Sequence, residues 1–470
     1  MIIYAILFLA FILRIINLNQ SLWLDEATQV LLSKESIQNI LFERGADFHP
    51  PLSYILMHFW IMLSNLEIWL RLLSVIFGVL TIWIIYKFGS EILNRKTALL
   101  ATFLLAISPY HIYYSQEIRM YAESTFFAAL SMYFFYRFTI RNSLTNSLIY
   151  ITTSSALIYT HYDGLFLIIA QFFTILILQR SLLLSFLKKV SFVFLIYLPW
   201  IPQLLIQLRG GGNIDEYLPG WRSILSLPTL KAVPVTFFKF SLGRISFDNQ
   251  SIYILVAFVT LSLFGLILYK GIKAIRLKEQ KLVIYWLFIP IVCALIISFK
   301  IPINQPFRIL YVIPAFYILL ALGVENLMKF KRMLLVSLIA LSLMGLGFYY
   351  FNPKFWREDW REAARFITEN SSIDTVTIFV WPEPFSPYKF YANDKFAVGV
   401  VKSFPAKIEE LENTMSKVDS KREVFLFEYL QDLADPNKFV QFELNKKGFR
   451  EDKVFNFRGV GFIRHFVKQI

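Results

Sequence analysis

Apolar runs of bilayer-spanning length recur along most of this chain, and no other feature limits its fold so strongly. Reading for stretches of about 17 to 25 residues gives about eleven candidate spans. They fall near 2–16, 68–90, 97–109, 121–138, 147–160, 164–180, 188–207, 251–270, 282–299, 308–326 and 333–350. The run 52–63 is too short to span and reads as re-entrant or interfacial. Of 470 residues 57% are hydrophobic and only 17% charged, with a mean hydropathy of +0.55. The expected class is a polytopic α-helical membrane protein embedded in the lipid bilayer. The first run lacks a basic leader region and a small-residue cleavage site, so it reads as a retained span.

Charge sets the expected orientation. With the N-terminus inside, the cytoplasmic connections carry Lys87, Arg95 and Lys96, then Arg137 and Arg141, Lys188 and Lys189, and Lys270 to Lys281. A Lys/Arg excess marks the cytoplasmic face, and this accounts for the net charge of +14 without invoking nucleic acid. Most acids lie on the opposite side. An odd number of spans then places everything after about residue 350 outside the cytoplasm.

The expected division is a transmembrane domain over 1–350 and a small extracytoplasmic α/β domain over 351–470. In the latter, DWREAARFIT reads as an amphipathic helix with Asp359 as N-cap. TVTIFV, AVGVV, REVFLF and VFNFRGVGFI read as strands, with helices at AKIEELENTMSKV and NKFVQFELNKKG. The lone Cys293 excludes an intramolecular disulfide and a cysteine-based zinc site.

Chemistry-bearing residues collect in the outer connections. After the first span, SLWLDEATQV places Asp25 and Glu26 side by side. Asp25 reads either as the N-cap of an interfacial helix or as a carboxylate for catalysis or binding. His49 precedes Pro50 and Pro51 in ADFHPPLSY, where it could serve only a turn. SPYHIYYSQEIRMYA crowds His111, Tyr114, Gln116, Glu117 and Arg119 into one connection, and THYDG adds His161 and Asp163. Arg308 stands at the lip of the tenth span, where snorkelling is the commoner explanation. The stretch 208–248 reads as a lid. Ionisable residues at one membrane depth in four connections point to a site. Asp25, Glu26, His49 and Glu117 could also hold a divalent cation.

WLDEA, HPPLSY, SPYHIYYSQEIRMYA, THYDG, PFRILYVIPAFYILLALG and DWREAARFI together resemble membrane glycosyltransferases of the GT-C superfamily, closest to family 39. That family is the dolichyl-phosphate-mannose protein mannosyltransferase group, and the resemblance covers residues 1 to about 370. It implies transfer of a sugar from a polyprenyl- or dolichyl-phosphate donor to an extracytoplasmic acceptor. By motif position it implies Asp25 as the catalytic carboxylate, Glu26 as its companion and Glu117 as a second acid. His49 matches HPPL and Arg119 matches EIRMY, while Asp163 replaces the aromatic residue of the more usual THYFG. The same bundle could instead serve a transporter or flippase of lipid-linked sugars, although such proteins tend to bury their ionisable groups near the midplane.

Overall fold

Each of the eleven apolar runs coincides with a helix in the computed structural model, which describes residues 1–42, 48–212, 230–301 and 303–469. In chain order the helices begin with α1 (Ile2–Ile15), α2 (Leu24–Ser33), α3 (Ile37–Phe42), α4 (Leu52–Ile61) and α5 (Glu67–Ile92). Next come α6 (Arg95–Ala106), α7 (Pro109–Ser115), α8 (Tyr121–Ile140), α9 (Leu144–Thr160) and α10 (Gly164–Leu178). They continue with α11 (Leu183–Tyr197), α12 (Ile201–Gly212), α13 (Ala232–Leu242), α14 (Gln250–Ala274), α15 (Lys281–Ile297), α16 (Ile313–Asn326) and α17 (Lys331–Phe351). Four stretches, Glu67–Ile92, Arg180–Gly210, Gln250–Ala274 and Lys331–Phe351, can cross a membrane by length and composition. The other apolar helices are shorter.

The chain divides into two compact units. Met1–Leu18, Ser36–Arg209 and Leu225–Trp356 form the first, and Asn19–Glu35 groups with Arg357–Ile470 in the second. The first unit exposes many large apolar side chains, such as Phe258 of α14 and Val336 of α17, a surface suited to lipid. Several polar side chains are buried between its helices. Gln171 of α10 donates to Ser131 of α8 and accepts from Tyr150 of α9, at 3.0 and 2.8 Å, tying three helices by groups that have no water to bond. Asn94, Ser108, Ser143 and Asn249 cap α6, α7, α9 and α14 with side-chain oxygens. Gly271 and Gly323 let α14 and α16 touch backbone to backbone. A Cβ on either would stand about 2 Å from a carbonyl oxygen of the facing helix (Leu319 or Ile267).

Two expectations change here. The connection 108–122 is no open loop: Pro109–Ser115 is helical, and every residue from Ser108 to Ala122 is buried. The expected lid at 208–248 contains the helix α13, while its 213–229 portion lies outside the described residues.

In the second unit, five strands order β2-β1-β3-β5-β4: β1 (Thr375–Phe379), β2 (Ala397–Gly399), β3 (Glu423–Phe427), β4 (Phe449–Phe457) and β5 (Gly461–Lys468). β1 runs parallel to β2 and β3, while β5 is antiparallel to β3 and β4. The residues VFNFRGVGFI, expected as one strand, are the end of a hairpin. Gly459 and Gly461, at φ 76° and 84°, supply the left-handed conformations its turn requires. Alternation along β3 sends Val424 and Leu426 to one apolar cluster, and Phe425 and Phe427 to another. The helix α18 (Trp360–Asn370) covers the second cluster with Trp360, Ala363, Ala364 and Ile367. Asp359 stands at its N-cap position, but its side chain makes no capping bond. Further helices are α19 (Ser386–Tyr391), α20 (Ile408–Thr414), α21 (Gln431–Ala434) and α22 (Phe439–Lys446).

Candidate active site

In the first unit the THYDG turn gathers several of the expected residues. His161 ends α9 in an extended conformation, and Asp163 opens α10. The Asp163 amide donates to His161 Nδ1 at 3.2 Å, so the neutral ring carries its proton on Nε2. Burial, then the charges of His49, Arg308 and Arg119, hold His161 well below the usual histidine range. It is therefore neutral, and its 4.0 Å approach to Asp163 Oδ2 is no ion pair. The His49 ring centre lies 6.2 Å from that of His161, and Tyr121 stands at the same distance. His49, Tyr121, Arg119, His161 and Arg308 thus meet at one turn, although they come from four separate segments.

Asp163 is unusual within this group. Burial pushes its carboxyl up to about 7, against an opposing pull from Arg308. Its carbonyl accepts from Tyr311 at 2.7 Å, but Oδ2 is buried without a hydrogen-bond partner. A carboxyl in that condition can hold a proton near neutrality or accept one hydrogen bond from a ligand.

The connection after α6 divides into two groups. Tyr114 packs edge-on to Tyr121 at 5.3 Å, next to the ring that neighbours His161, and Glu117 is buried in the same connection. Ser74 Oγ donates to the Glu117 carbonyl at 2.7 Å and fixes that backbone. Burial, before any charge, holds Tyr110 and Tyr114 above the ordinary phenol range; Glu117 adds to this and Arg244 opposes it. Arg244 was not singled out from the sequence. It bonds Tyr113 Oη at 2.5 Å, and its guanidinium lies 4.7 Å from that ring centre.

His111 and Gln116 serve a different task. Arg14, buried in α1, bonds His111 Nδ1 at 2.7 Å and the carbonyls of Ala10 and Ala106. Gln116 Nε2 donates to the carbonyls of Arg14 and Ile16, at 2.8 and 2.7 Å, and its Oε1 accepts from Tyr349. These two expected substrate residues hold the end of α1 in place. The signal for this was Arg14, a cation at the end of an apolar run that needs buried partners.

Asp25 and Glu26 belong to the second unit. The helix α2 starts at Leu24 with Trp23 as N-cap, which overturns the capping reading of Asp25. Asp25 lies one residue inside the first turn and is half-buried, whereas Glu26 is fully buried. Leu22 N–H donates to Tyr391 Oη at 2.8 Å, and Thr28 Oγ1 donates to Ser386 Oγ at 2.9 Å, so α2 is docked on α19. Sequence reading missed a further acid here. Glu358 stands close enough to Asp25 for the two charges to act on each other.

Among the described residues, no group of three or more His, Cys, Asp or Glu side chains is placed to hold a metal ion. Of the quartet expected for a divalent cation, Asp25 and Glu26 belong to the second unit and His49 and Glu117 to the first.

The family model described as Dolichyl-phosphate-mannose-protein mannosyltransferase matches residues 48–206, a segment that carries His49, Glu117, Arg119, His161 and Asp163. Comparison with curated proteins gives no match. Among solved structures, ArnT from Cupriavidus metallidurans bound to undecaprenyl phosphate aligns with a TM-score of 0.60 at 12% identity, over 99% of this chain and 97% of that one. The archaeal oligosaccharyltransferase AglB from Archaeoglobus fulgidus, in complex with an inhibitory peptide and a dolichol-phosphate, aligns at 0.55 and 14% identity, over 98% and 74%. The chain shares its fold with ArnT and AglB.

Proposed function

We propose that this protein is a glycosyltransferase that moves a sugar from a polyprenyl- or dolichyl-phosphate carrier to an acceptor hydroxyl on protein, lipid or glycan. The donor's phosphate ester is already a good leaving group, so the reaction needs no external acid. It needs a base for the acceptor proton and cations for the charge that builds on the departing phosphate. The acceptor oxygen attacks the anomeric carbon, the bond to the phosphate oxygen breaks, and the acceptor proton passes to Asp25. The polyprenyl phosphate leaves with the electron pair, and the anomeric configuration inverts. Arg119 and Arg308 hold the phosphate, since a guanidinium fork matches its oxygens.

The observation that carries this reading is the cation-rich turn of the first unit, where Arg119 and Arg308 both act on a neutral, buried His161. ArnT and AglB, which share the fold, are known with undecaprenyl phosphate and dolichol-phosphate bound. That supports a lipid-phosphate donor here. The same reading gives eleven membrane crossings in the plasma or inner membrane, the N-terminus in the cytoplasm and the C-terminal unit outside.

The test is transfer by purified protein in liposomes loaded with radiolabelled polyprenyl-phosphate sugars. Wild type releases polyprenyl phosphate, whereas folded Asp25→Asn protein releases none above background. Donor recovered intact but moved across the bilayer would instead mark a flippase. Full turnover by the Asn variant would remove Asp25 as the base.

A further inference from the structure

The helix α2 begins with LDEA, and the residue in front of it is Trp23. The first amides of any helix lack intrahelical acceptors and are normally satisfied by a side-chain oxygen at the N-cap. Trp23 has none, and no side-chain cap bond is present. The segment carrying Glu358 is instead tied to the approach to α2, where Arg357 N–H donates to Gln20 Oε1 at 2.6 Å and Arg361 N–H donates to Ser21 Oγ at 3.0 Å. This sets the Glu358 carboxyl beside the Leu24 amide, one residue before Asp25, where a local cap would stand.

Glu358 is itself held from several directions. Its Oε2 accepts from Trp360 Nε1 at 2.7 Å, and its Oε1 accepts from Tyr429 Oη at 2.9 Å. The β4–β5 turn closes over it. At Gly459 a Cβ would come within 2.8 Å of Glu358 Cγ, and the φ of 76° there disfavours any side chain. Next to it, the Asp359 amide donates to the Arg458 carbonyl at 2.8 Å. Two hydrogen bonds from rigid aromatic residues leave the carboxylate little freedom to turn.

We propose that Glu358 is a positioning residue for Asp25, fixing the first turn of α2 and hence the aim of the Asp25 carboxylate. This rests on the reading of Asp25 as base. Other contacts support α2 around that turn: Tyr391 holds Leu22 before the helix, Leu24 packs against the aromatic cluster that contains Trp360, and Ser386 holds Thr28 one turn later. The electrostatics agree with the geometry. Burial is the main force pushing the Glu358 carboxyl above its ordinary value, the Trp360, Tyr429 and Leu24 groups oppose it, and Asp25 adds a smaller upward push. The negative end of this strut also faces the positive N-terminus of α2, a favourable alignment.

The experiment compares full-length wild type with Glu358→Gln, which keeps the shape but removes the charge and half of the accepting capacity. In transfer assays, kcat is expected to fall roughly 10- to 100-fold, as for a misaimed reacting group, with the donor KM changed less than about twofold. Hydrogen exchange on the same samples is expected to quicken on the order of tenfold at the first amides of α2, as for loss of a cap, with β1 and β3 unchanged. Tyr429→Phe removes one donor and retains the ring, and it is expected to move both readouts the same way by a smaller factor. It also carries the test if the Gln variant does not fold.

Unchanged exchange at α2 in both variants would overturn the proposal. So would exchange rising equally across the sheet, or KM rising in step with the loss of kcat, since each describes a general structural role. Wild type inactive on every lipid-phosphate donor would sink the transferase reading alone, because the exchange comparison still decides whether Glu358 holds α2.

Discussion

Burial raises the carboxyl of two acids, one in each unit, but the fold meets it differently in each. Asp163 in the first unit keeps an oxygen with no hydrogen-bond partner, and burial lifts its carboxyl to about 7. Glu358 in the second is also raised, yet it accepts from an indole and a phenol and lies beside a backbone amide. A carboxylate saturated by its own fold acts as a strut. One left short of a partner is available to a ligand or a proton, and its neighbours are the cations expected to meet a phosphate.

The strongest challenge to this contrast is Arg308→Ala. If the histidine turn is where the donor phosphate is held, losing one of its two guanidinium groups should lower kcat/KM about 10²- to 10³-fold, the range for removing one donor to a developing anion. Arg308→Lys should recover only part, because an ammonium cannot make the paired bonds of the planar fork. Both effects should include donor binding, unlike the kcat-limited loss expected at Glu358. Donor binding unchanged in a fluorescence or filter assay would take Arg308 out of the site.

Asp163→Asn gives a smaller effect and tests the opposite side of the comparison. The folded-state carboxyl is raised above its unfolded value of 3.8, so the protonated form favours the fold. That stability is fully present below about pH 4 and is lost as pH rises through about 7. The Asn side chain does not titrate. Wild type should therefore lose a few kcal/mol of stability between those limits, and the variant should not. Thermal unfolding in detergent at pH 5 and pH 8 measures the difference. Parallel losses in the two proteins would mean that Asp163 is already satisfied.

The sequence made these two regions unequally readable. The apolar runs located the helices, and THYDG placed His161 and Asp163 side by side within one turn, so local pattern was enough. Arg308 needed only its place at the lip of a span. Nothing local marked Glu358. Its partners Leu24 and Tyr429 are remote in sequence, and only the folded second unit, which takes in Asn19–Glu35, brings them together. The same limit explains His111 and Gln116. A crowded polar segment looks the same whether it meets a substrate or satisfies the end of α1, and the deciding contact is with Arg14. The hairpin was a different kind of miss: VFNFRGVGFI was expected as one strand although its two glycines carry a local turn signal.

The smallest expected effect tests how far the strut depends on its support. Gly459→Ala must place a side chain at φ 76°, which costs about 1 to 2 kcal/mol for an L-residue, and its Cβ would press on the Glu358 side chain. Two consequences then separate. The strain should lower the unfolding temperature of the second unit by a few degrees, while displacement of Glu358 should also reduce kcat without raising the donor KM. If the unit loses stability and turnover is unaffected, the β4–β5 turn is only a hairpin connection, and the hydrogen bonds from Trp360 and Tyr429 suffice to hold Glu358. If both fall, the turn is part of what aims Asp25, and the second unit acts on catalysis through a glycine well removed in sequence from the base.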